Sequence, residues 1–289
     1  CTASPRSRAT LSTCSLSPSP SSLSSGQMVS VMSTSLIGES LIQLDVNNNP
    51  PVIEIAEGVS DATTMIVDEQ NDRLLVAIDD ETTKFRAWSL TNSSEFTNAA
   101  LATLDSFLTS NQHATSMYKD SSGVLWIGTN KADLIAIGAS GNQVPIQLNP
   151  NGGSDIVNDL ISMSGQILLA TDGGGVMRYD ISNNQWLSSW DTQNSLPSDN
   201  IVQLEQINGI LMIAMADAGI VRYNIATSSW LATWTDANWL DSNDVHGMEI
   251  GGEWLHILAG DSLHFYNTVS YTHLRAHETP EHRVCGVRL

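Results

Sequence analysis

Two stretches of sequence decide the fold: DIVNDLISMSGQILLATDGGGVMRYDISNNQWLSSW, residues 155–190, and NIVQLEQINGILMIAMADAGIVRYNIATSSWLATW, residues 200–234. They align without a gap when one is shifted by about 44 residues. The shift pairs Gly165 with Gly209, Gly175 with Gly219, Arg178 with Arg222, Tyr179 with Tyr223, Trp186 with Trp230, and Trp190 with Trp234. Self-similarity at a fixed period of this length is the signature of a repeat architecture.

The pattern continues on both sides of this pair. Ser242–Asn267 repeats it after one deletion, and Lys119–Thr129 (KDSSGVLWIGT) matches the SMSGQILLAT segment at a slightly shorter offset. Divergent copies occur at Asp68–Ile78 with Phe85–Leu90, and at Ser40–Asn49. The sequence therefore contains about six units, the first and last of them incomplete.

Each unit is predicted to form four short strands. In the Asn200 copy they are Ile201–Gln206, Ile210–Met215, Gly219–Ile225 and Trp230–Thr235, separated by turn residues at hairpin lengths. The second strand is an apolar run that indicates burial on both faces. Four antiparallel strands in every 40 to 45 residues are typical of a propeller blade.

The predicted fold class is all-β, a β-propeller of four-stranded antiparallel blades with a repeat of about 44 residues. Five to six blades are expected in residues 30–269, and the propeller is expected to be truncated. The predicted blades are 30–60, 61–112, 113–154, 155–198, 199–241 and a partial blade 242–269.

The two ends differ in composition from this body. Residues 1–29 are predicted to be a disordered segment, because the first 26 contain ten serines and no periodic pattern; a secretory linker and a mistranslated frame both fit them. Residues 270–289 begin with SYTHLRAHET, which resembles a translated sequencing adaptor. This segment is predicted to be non-native in a metagenomic fragment, so His273, His277 and His282 are discarded as metal ligands.

Charge and composition narrow the partners. The chain has 31 acidic and 12 basic residues and a net charge of −19, and only seven of the basic residues lie between positions 30 and 269. Such a field repels nucleic acid and anionic lipid. No apolar run is long enough for a membrane-spanning helix. Cys1, Cys14 and Cys285 all lie outside the repeats, so no disulfide framework is predicted.

Carboxylates recur near the turn after the second strand of several units. They are Asp79, Asp80, Asp172, Asp217 and Asp261, with Asp133 less well aligned. Gathered at one end of a propeller they would form an acidic rim that attracts Ca²⁺ or a cationic ligand. The alternative is turn chemistry alone, since Asp and Gly are favoured there. The four repeated tryptophans are predicted to pack between blades, the alternative being an exposed platform for sugars.

Reactive motifs give little support for catalysis. The sequence has no GxSxG, HExxH, P-loop or EF-hand spacing. His113, His246, His256 and His264 are interpreted as packed or surface residues rather than ligands. The DISNNQW and NIATSSW segments faintly resemble quinone-cofactor dehydrogenase propellers, without their usual Thr-Gly pair. A dehydrogenase of that kind, or a polysaccharide lyase or hydrolase, is the enzymatic alternative.

The segment NSLPSDNIVQL (Asn194–Leu204), with the SSGVLWIGT and DGGGVMRYD types of segment, resembles the two-component-regulator propeller repeat. In that family such propellers commonly serve as extracytoplasmic sensor domains. The Asn200 copy departs from the pattern, with LMIAMAD where the family has something like LWIGTD. The resemblance implies a non-enzymatic, cofactor-free scaffold outside the cytoplasm for sensing a small molecule or glycan or for binding a protein. A structural repeat module of a larger surface protein is the alternative.

Overall fold

The structure is a computed structural model that describes residues 40–44, 52–57, 62–90, 94–144, 146, 156–270 and 273–276. The described residues form six antiparallel sheets, numbered here in chain order. The chain divides into two units, Cys1–Ile201 and Val202–Leu289. The ends predicted to be disordered or non-native lie outside the described residues, except for residues 270 and 273–276.

The first unit contains four sheets. Sheet 1 is β1 (Ser40–Leu44) and β2 (Val52–Glu57), and sheet 2 is β3 (Ala62–Asp68), β4 (Arg73–Ile78) and β5 (Phe85–Ser89). Sheet 3 is β6 (Ala114–Lys119), β7 (Leu125–Thr129), β8 (Leu134–Ile137) and β9 (Gln143–Val144). Sheet 4 is β10 (Val157–Met163), β11 (Gln166–Thr171), β12 (Val176–Asp180) and β13 (Gln185–Trp190).

The second unit contains two four-stranded sheets, except that Ile201, the first residue of sheet 5, belongs to the first unit. Sheet 5 is β14 (Ile201–Ile207), β15 (Ile210–Met215), β16 (Gly219–Asn224) and β17 (Ser229–Trp234). Sheet 6 is β18 (Val245–Gly251), β19 (Trp254–Ala259), β20 (Ser262–Asn267) and β21 (His273–Ala276). The last strand lies in the segment with the adaptor-like sequence and pairs with β20 from Leu263 to Tyr266. The non-native origin of that segment stays a prediction.

Strands in each sheet pair in chain order, which is the connectivity of consecutive hairpins. The first hairpin turns of sheets 4 and 5 have positive φ at two successive residues, Ser164–Gly165 and Asn208–Gly209. Positive φ at both central residues is the geometry of the type I′ turn, whose twist matches that of the flanking strands. The predicted all-β class and four-stranded antiparallel blades are therefore confirmed.

Sheet 2 departs from the regular pattern. Where a fourth strand is expected, Glu95 makes an isolated bridge with Trp88, and Phe96 donates its N–H to the Ala87 carbonyl at 2.8 Å. The chain then forms the helix α1 (Asn98–Asp105). Leu101 and Leu104 of this helix are buried against the sheet. The extra residues of this unit thus form a helix, which the strand-based prediction did not include.

A 3-10 turn, Glu69–Asn71, joins β3 to β4. Within the described ranges, no helix has the length and hydropathy of a membrane span.

The second strand is buried on both faces in sheets 2, 3, 4 and 5, as its apolar run predicted. In the first unit, Leu75 and Ala77 of β4 share a core with Leu125 and Ile127 of β7. Trp126, the alternate residue of β7, shares a core with sheet 4 instead. Alternate residues of one strand therefore contact the preceding and the following sheet. We call the side toward the following sheet the forward face.

Sheets 5 and 6 pack by the same rule within the second unit. Met212 and Ala214, on the forward face of β15, share a core with Leu255 and Ile257 of β19. Gln203 adds a polar contact between these sheets: its side-chain amide donates to the Met248 carbonyl at 2.7 Å, and its side-chain carbonyl accepts from the Met248 N–H at 2.7 Å. Apolar burial and paired backbone groups together join one sheet to the next.

Candidate functional site

The recurrent carboxylates occupy the turn between the second and third strands, as predicted. Asp79 and Asp80 follow β4, Asp172 follows β11, Asp217 follows β15, and Asp261 follows β19. All five are exposed. In the described part of the chain, no group of three or more His, Cys, Asp or Glu side chains is arranged to hold a metal ion. Calcium binding by an acidic rim therefore stays a prediction without a ligand cluster.

The repeated aromatic residues divide into two classes. Trp190 and Trp234 are buried, and the guanidinium groups of Arg178 and Arg222 lie over their rings at 4.7 and 4.8 Å. Burial lowers the pKa of Arg222. Its guanidinium group nevertheless remains protonated, as arginine does in proteins. Trp190 and Trp234 therefore fit the predicted role of packing between blades. The other two repeated tryptophans, Trp186 and Trp230, are less buried.

Trp230 departs from the expectation that all four tryptophans pack between blades. It is 37% exposed, and its ring packs edge-on against Tyr223 of the neighbouring strand, with centroids 4.8 Å apart. Trp186 makes the same contact with Tyr179 at 5.2 Å. Both tryptophans lie on the fourth strand of their sheet, and Trp186 packs, partly buried, against the core that sheets 3 and 4 share.

The repeated glycines have steric roles that the sequence could only suggest. Gly175 and Gly219 have φ near +71 and +78, and a Cβ on either would lie about 2.2 or 2.1 Å from the carbonyl oxygen of Trp190 or Trp234. Gly165 and Gly209 also have positive φ, but a Cβ there would meet open space. Only the first pair is required by close approach as well as by backbone conformation.

A polar pocket of about 250 Å³ lies in the first unit, next to two of the predicted rim residues. The turn after β4 contributes Asp79, Asp80, Glu81 and Lys84. The segment before β6 and the turn after β7 contribute Ser110, Asn111, His113 and Asn130. The pocket thus combines carboxylates, an ammonium group, an imidazole and side-chain amides.

His113 is held in the pocket by contacts on two sides. Its Nδ1 lies 2.9 Å from Oδ1 of Asp79, and its backbone N–H donates to Oδ1 of Asn130 at 3.2 Å. Burial lowers the pKa of His113, against the opposing effect of the Asp79 charge, and the nearby Lys84 and Lys131 lower it further. The imidazole is therefore mainly neutral at neutral pH, with Nδ1–H donating to Asp79.

Lys84 is a charged residue in an enclosed position, with only 5% of its surface exposed. Its Nζ donates to the Ser110 carbonyl at 3.3 Å. The backbone N–H groups of Lys84 and Phe85 both donate to Oδ1 of Asp105 at 3.0 Å, which anchors the β4–β5 turn to the end of α1. Burial raises the pKa of Asp105 despite these bonds and the Lys84 charge.

Asp80 shapes the rim of the pocket. Its Oδ1 accepts hydrogen bonds from the backbone N–H of Thr82 at 2.8 Å and of Thr83 at 2.9 Å, and from the Thr82 hydroxyl at 2.8 Å. These bonds lower the pKa of Asp80 to about 2, so the carboxylate stays ionised at physiological pH. Here turn chemistry and a negative rim come from the same residue.

The sequence indicated only part of this pocket. Asp79 and Asp80 were predicted as rim residues, whereas His113 was interpreted as packed or surface, and Lys84, Asn111 and Asn130 were not singled out. Asn130 follows β7 as Asp79 follows β4, so its place in the repeat was a usable signal. The other sequence histidines lie elsewhere: His264 is fully buried, and His246 and His256 lie on sheet 6. Of the discarded histidines, His273 lies in β21, and His277 and His282 fall outside the described residues.

The sheets, their hairpin order and their packing by alternating strand faces define a β-propeller. Residues 108–131 match the family model described as two-component regulator propeller, and they include the Lys119–Thr129 segment that aligned with the repeat. The family resemblance predicted from the sequence is thereby confirmed at this repeat. Comparison with the curated proteins gives no match.

Solved structures support the same fold. The extracellular domain of a putative hybrid two-component system from B. thetaiotaomicron matches with a TM-score of 0.61 and 16% identity over 77% of this chain. The chain spans 29% of that structure's length. A chain of the mitotic checkpoint complex matches with a TM-score of 0.60 and 13% identity, over 86% of this chain and 73% of its own. The computationally designed Ika8 protein matches at 0.56 and 12%, over 89% of this chain and 85% of its own. Such identities establish the propeller fold alone.

Proposed function

We propose that this chain is a non-enzymatic, extracytoplasmic propeller module of the sensor type, and that its pocket beside β4 binds a small polar ligand carrying a cationic group. The observation that carries the proposal is the pocket itself, where side chains from three loops of two neighbouring sheets converge beside predicted rim residues. Binding residues are found disproportionately on loops that a rigid scaffold positions.

The sensor role and the location outside the cytoplasm rest on similarity. Residues 108–131 match the two-component regulator propeller family, and one similar structure is the extracellular domain of a putative hybrid two-component system. The alternative is that the repeats form a scaffold for a protein partner. The pocket favours a small ligand over this alternative. Its volume of about 250 Å³ lies below the range for drug-sized ligands, so it suits a molecule of one ring or a short chain.

The charge of the pocket favours a cationic group on the ligand. Asp80 is ionised, Asp79 and Glu81 are exposed beside it, and the whole chain carries a net charge of −19. An anionic ligand would meet this field before reaching Lys84, whereas an amine would be attracted and could use the carboxylates as acceptors. The amides of Asn111 and Asn130 add hydrogen-bonding groups for neutral parts of the ligand.

The test is calorimetric titration of the full chain with a panel of amines, amino sugars, neutral oligosaccharides and CaCl₂ at low and moderate salt. We expect an amine or amino sugar to bind, and the double variant D79N/E81Q to weaken its binding at least about tenfold. The matched control is D172N/D217N, which removes two exposed carboxylates from the corresponding turns of other sheets. Equal loss in both double variants would show a general field effect and contradict the pocket, as would binding confined to neutral oligosaccharides.

A further inference from the structure

One side-chain position joins consecutive sheets in the first unit. In sheets 2, 3 and 4 the first strand has a register shift right after its first residue, and the shifted residues are Thr63, Thr115 and Asn158. The Thr63 hydroxyl donates to the Ala114 carbonyl, and the Thr115 hydroxyl donates to the Val157 carbonyl at 2.6 Å. Asn158 donates through Nδ2 to the Ile201 carbonyl at 2.7 Å. Each acceptor is the first residue of the next sheet's first strand.

His246 occupies this linking position in sheet 6. The register of β18 shifts between Val245 and Gly247, as the first strands of sheets 2, 3 and 4 shift after their first residues. The His246 side chain is 47% exposed, and its Nδ1 lies 3.7 Å from Oδ1 of Asp244. A ring N–H is a donor of the same kind as the Thr and Asn groups in the series. Among the described residues, no carbonyl of a following sheet accepts a hydrogen bond from it.

The forward face of sheet 6 is exposed where the equivalent face of sheet 5 is buried. Leu258 pairs with Leu263 in the register of sheet 6, as Ala214 pairs with Ile220 in sheet 5. Leu258 and Leu263 are 36% and 38% exposed, against 0% for both Ala214 and Ile220. We call the surface formed by His246, His256, Leu258, Leu263 and Phe265 the open face.

The open face continues an interface that the second unit already contains. The opposite side of sheet 6, with Leu255 and Ile257, packs against sheet 5. On the open face, the rings of His256 and Phe265 pack edge-on with centroids 5.1 Å apart, next to the two exposed leucines. An apolar sheet face of this kind is stabilised by burial against another sheet.

We propose that the open face binds a further propeller blade of the same repeat, one whose first strand begins with a small residue and offers its carbonyl to His246. The size requirement follows from Leu258. Its equivalent on the forward face is Ala77 in sheet 2, Gly128 in sheet 3 and Ala214 in sheet 5.

Sheet 3 shows why the position is sensitive to size. A Cβ on Gly128 would lie 2.4 Å from Cγ1 of Val157, the first residue of the next sheet. Because sheet 6 has leucine here, a blade beginning with valine or isoleucine would clash, and one beginning with alanine or glycine would fit. The chain itself contains blades of both kinds: Ala62 and Ala114 begin sheets 2 and 3, and Ile201 begins sheet 5.

The test places a blade beside the open face and measures the accessibility of position 263. In the full chain with Cys1, Cys14 and Cys285 changed to Ser, Leu263→Cys is the reporter for thiol labelling. An extended chain carries a second copy of residues 113–154 after Leu289, with or without Ala114→Ile in that copy alone. Ile181→Cys is the control, since Ile181 is equally exposed, at 38%, on a turn of another sheet.

We expect the added copy with Ala114 to slow labelling of Leu263→Cys at least about tenfold, and Ala114→Ile in that copy to restore it. His246→Ala should reverse part of the protection, and Ile181→Cys should react at one rate throughout. Unchanged labelling in the extended chain would overturn the proposal, and equal protection by both copies would overturn the size requirement. Protection in the unextended chain, as a monomer or as a dimer, would show that another occupant already covers the face and would also overturn it.

Discussion

The hydroxyl of Thr115 donates a hydrogen bond of 2.6 Å to the backbone carbonyl of Val157, which is 42 residues later in the chain. Val157 is fully buried, and Thr115 lies at the register shift of β6. A single side chain thus satisfies a carbonyl at the start of the next sheet. The same kind of bond recurs at Thr63 and Asn158, so sheets 2, 3 and 4 each donate to a backbone carbonyl that any residue would present at the start of the next first strand.

Thr115→Val should remove this link while keeping the shape of the side chain. We expect the free energy of unfolding to fall by about 1–2 kcal/mol, since a buried carbonyl loses its partner. Urea unfolding followed by tryptophan fluorescence measures the change. Thr115→Ser retains the hydroxyl and should lose much less; similar losses in both variants would indicate that the methyl group, and not the hydrogen bond, is important.

Gly219→Ala and Gly209→Ala separate steric overlap from backbone conformation, because both glycines have positive φ. A Cβ at 219 would lie 2.1 Å from the Trp234 carbonyl oxygen, whereas at 209 it would meet open space. We expect losses of about 2–4 kcal/mol at 219 and about 1–2 kcal/mol at 209. Thermal and urea unfolding of the two variants provide the comparison, and equal losses would contradict the close approach.

Asp68 should make the stability of the first unit depend on acid pH. The residue is buried, contacts Lys119 and lies 3.0 Å from Nε of Arg73. Burial raises its pKa, but hydrogen bonds from Lys119 and Asn71 and the charge of Arg73 leave it below the usual 3.8. The folded state therefore favours the ionised form, and this contribution is complete above pH 3.8 and is lost as pH falls through the lower folded pKa.

Asp68→Asn removes that contribution and leaves two cations without their carboxylate. We expect a loss of about 2–4 kcal/mol at pH 7, which shrinks as the pH is lowered below about 4. Urea unfolding of both proteins between pH 7 and 2.5 measures this. A difference that stays constant with pH would mean that packing, and not charge, accounts for the loss.

His113 should titrate below 6.5, because burial lowers its pKa. Its neutral form is favoured in the folded state, so its contribution to stability is lost as pH falls from 6.5 through the folded pKa, where the unfolded chain binds the proton more readily. Asp79→Asn removes the charge that opposes this shift and should lower the midpoint further. Proton–nitrogen NMR of the imidazole follows the titration, with Glu81→Gln as a control that leaves the Asp79 contact in place. An upward shift in Asp79→Asn would contradict the assigned pair.

The hairpins were predictable because their signals are local. Asn208–Gly209 and Ser164–Gly165 form the expected turns, and the strands that contain the apolar runs Ile210–Ala214 and Ile167–Ala170 are buried beyond their first residues, as expected. The helix α1 was not predicted, because Leu101 and Leu104 carry a helical pattern over barely two turns, and burial against sheet 2 is what stabilises it. Trp230 shows a second limit of the sequence. It is equivalent to Trp186 in the repeat and lies on the same outer strand of its sheet, but Trp230 is exposed and Trp186 is partly buried.

The sequence by itself determined the repeat, the strand order within each sheet and the recurrence of carboxylates after the second strand, since period, polarity and turn residues are properties of neighbouring positions. Only the tertiary structure decided which of those carboxylates belong to a pocket. Asp79 meets His113, and Lys84 meets Ser110, because sheet 2 and sheet 3 pack face to face, and residues about 30 positions apart are brought together by that packing. The open face has the same origin: Leu258 and Leu263 look like any other strand residues in the sequence, and their exposure follows from what packs beside the sheet.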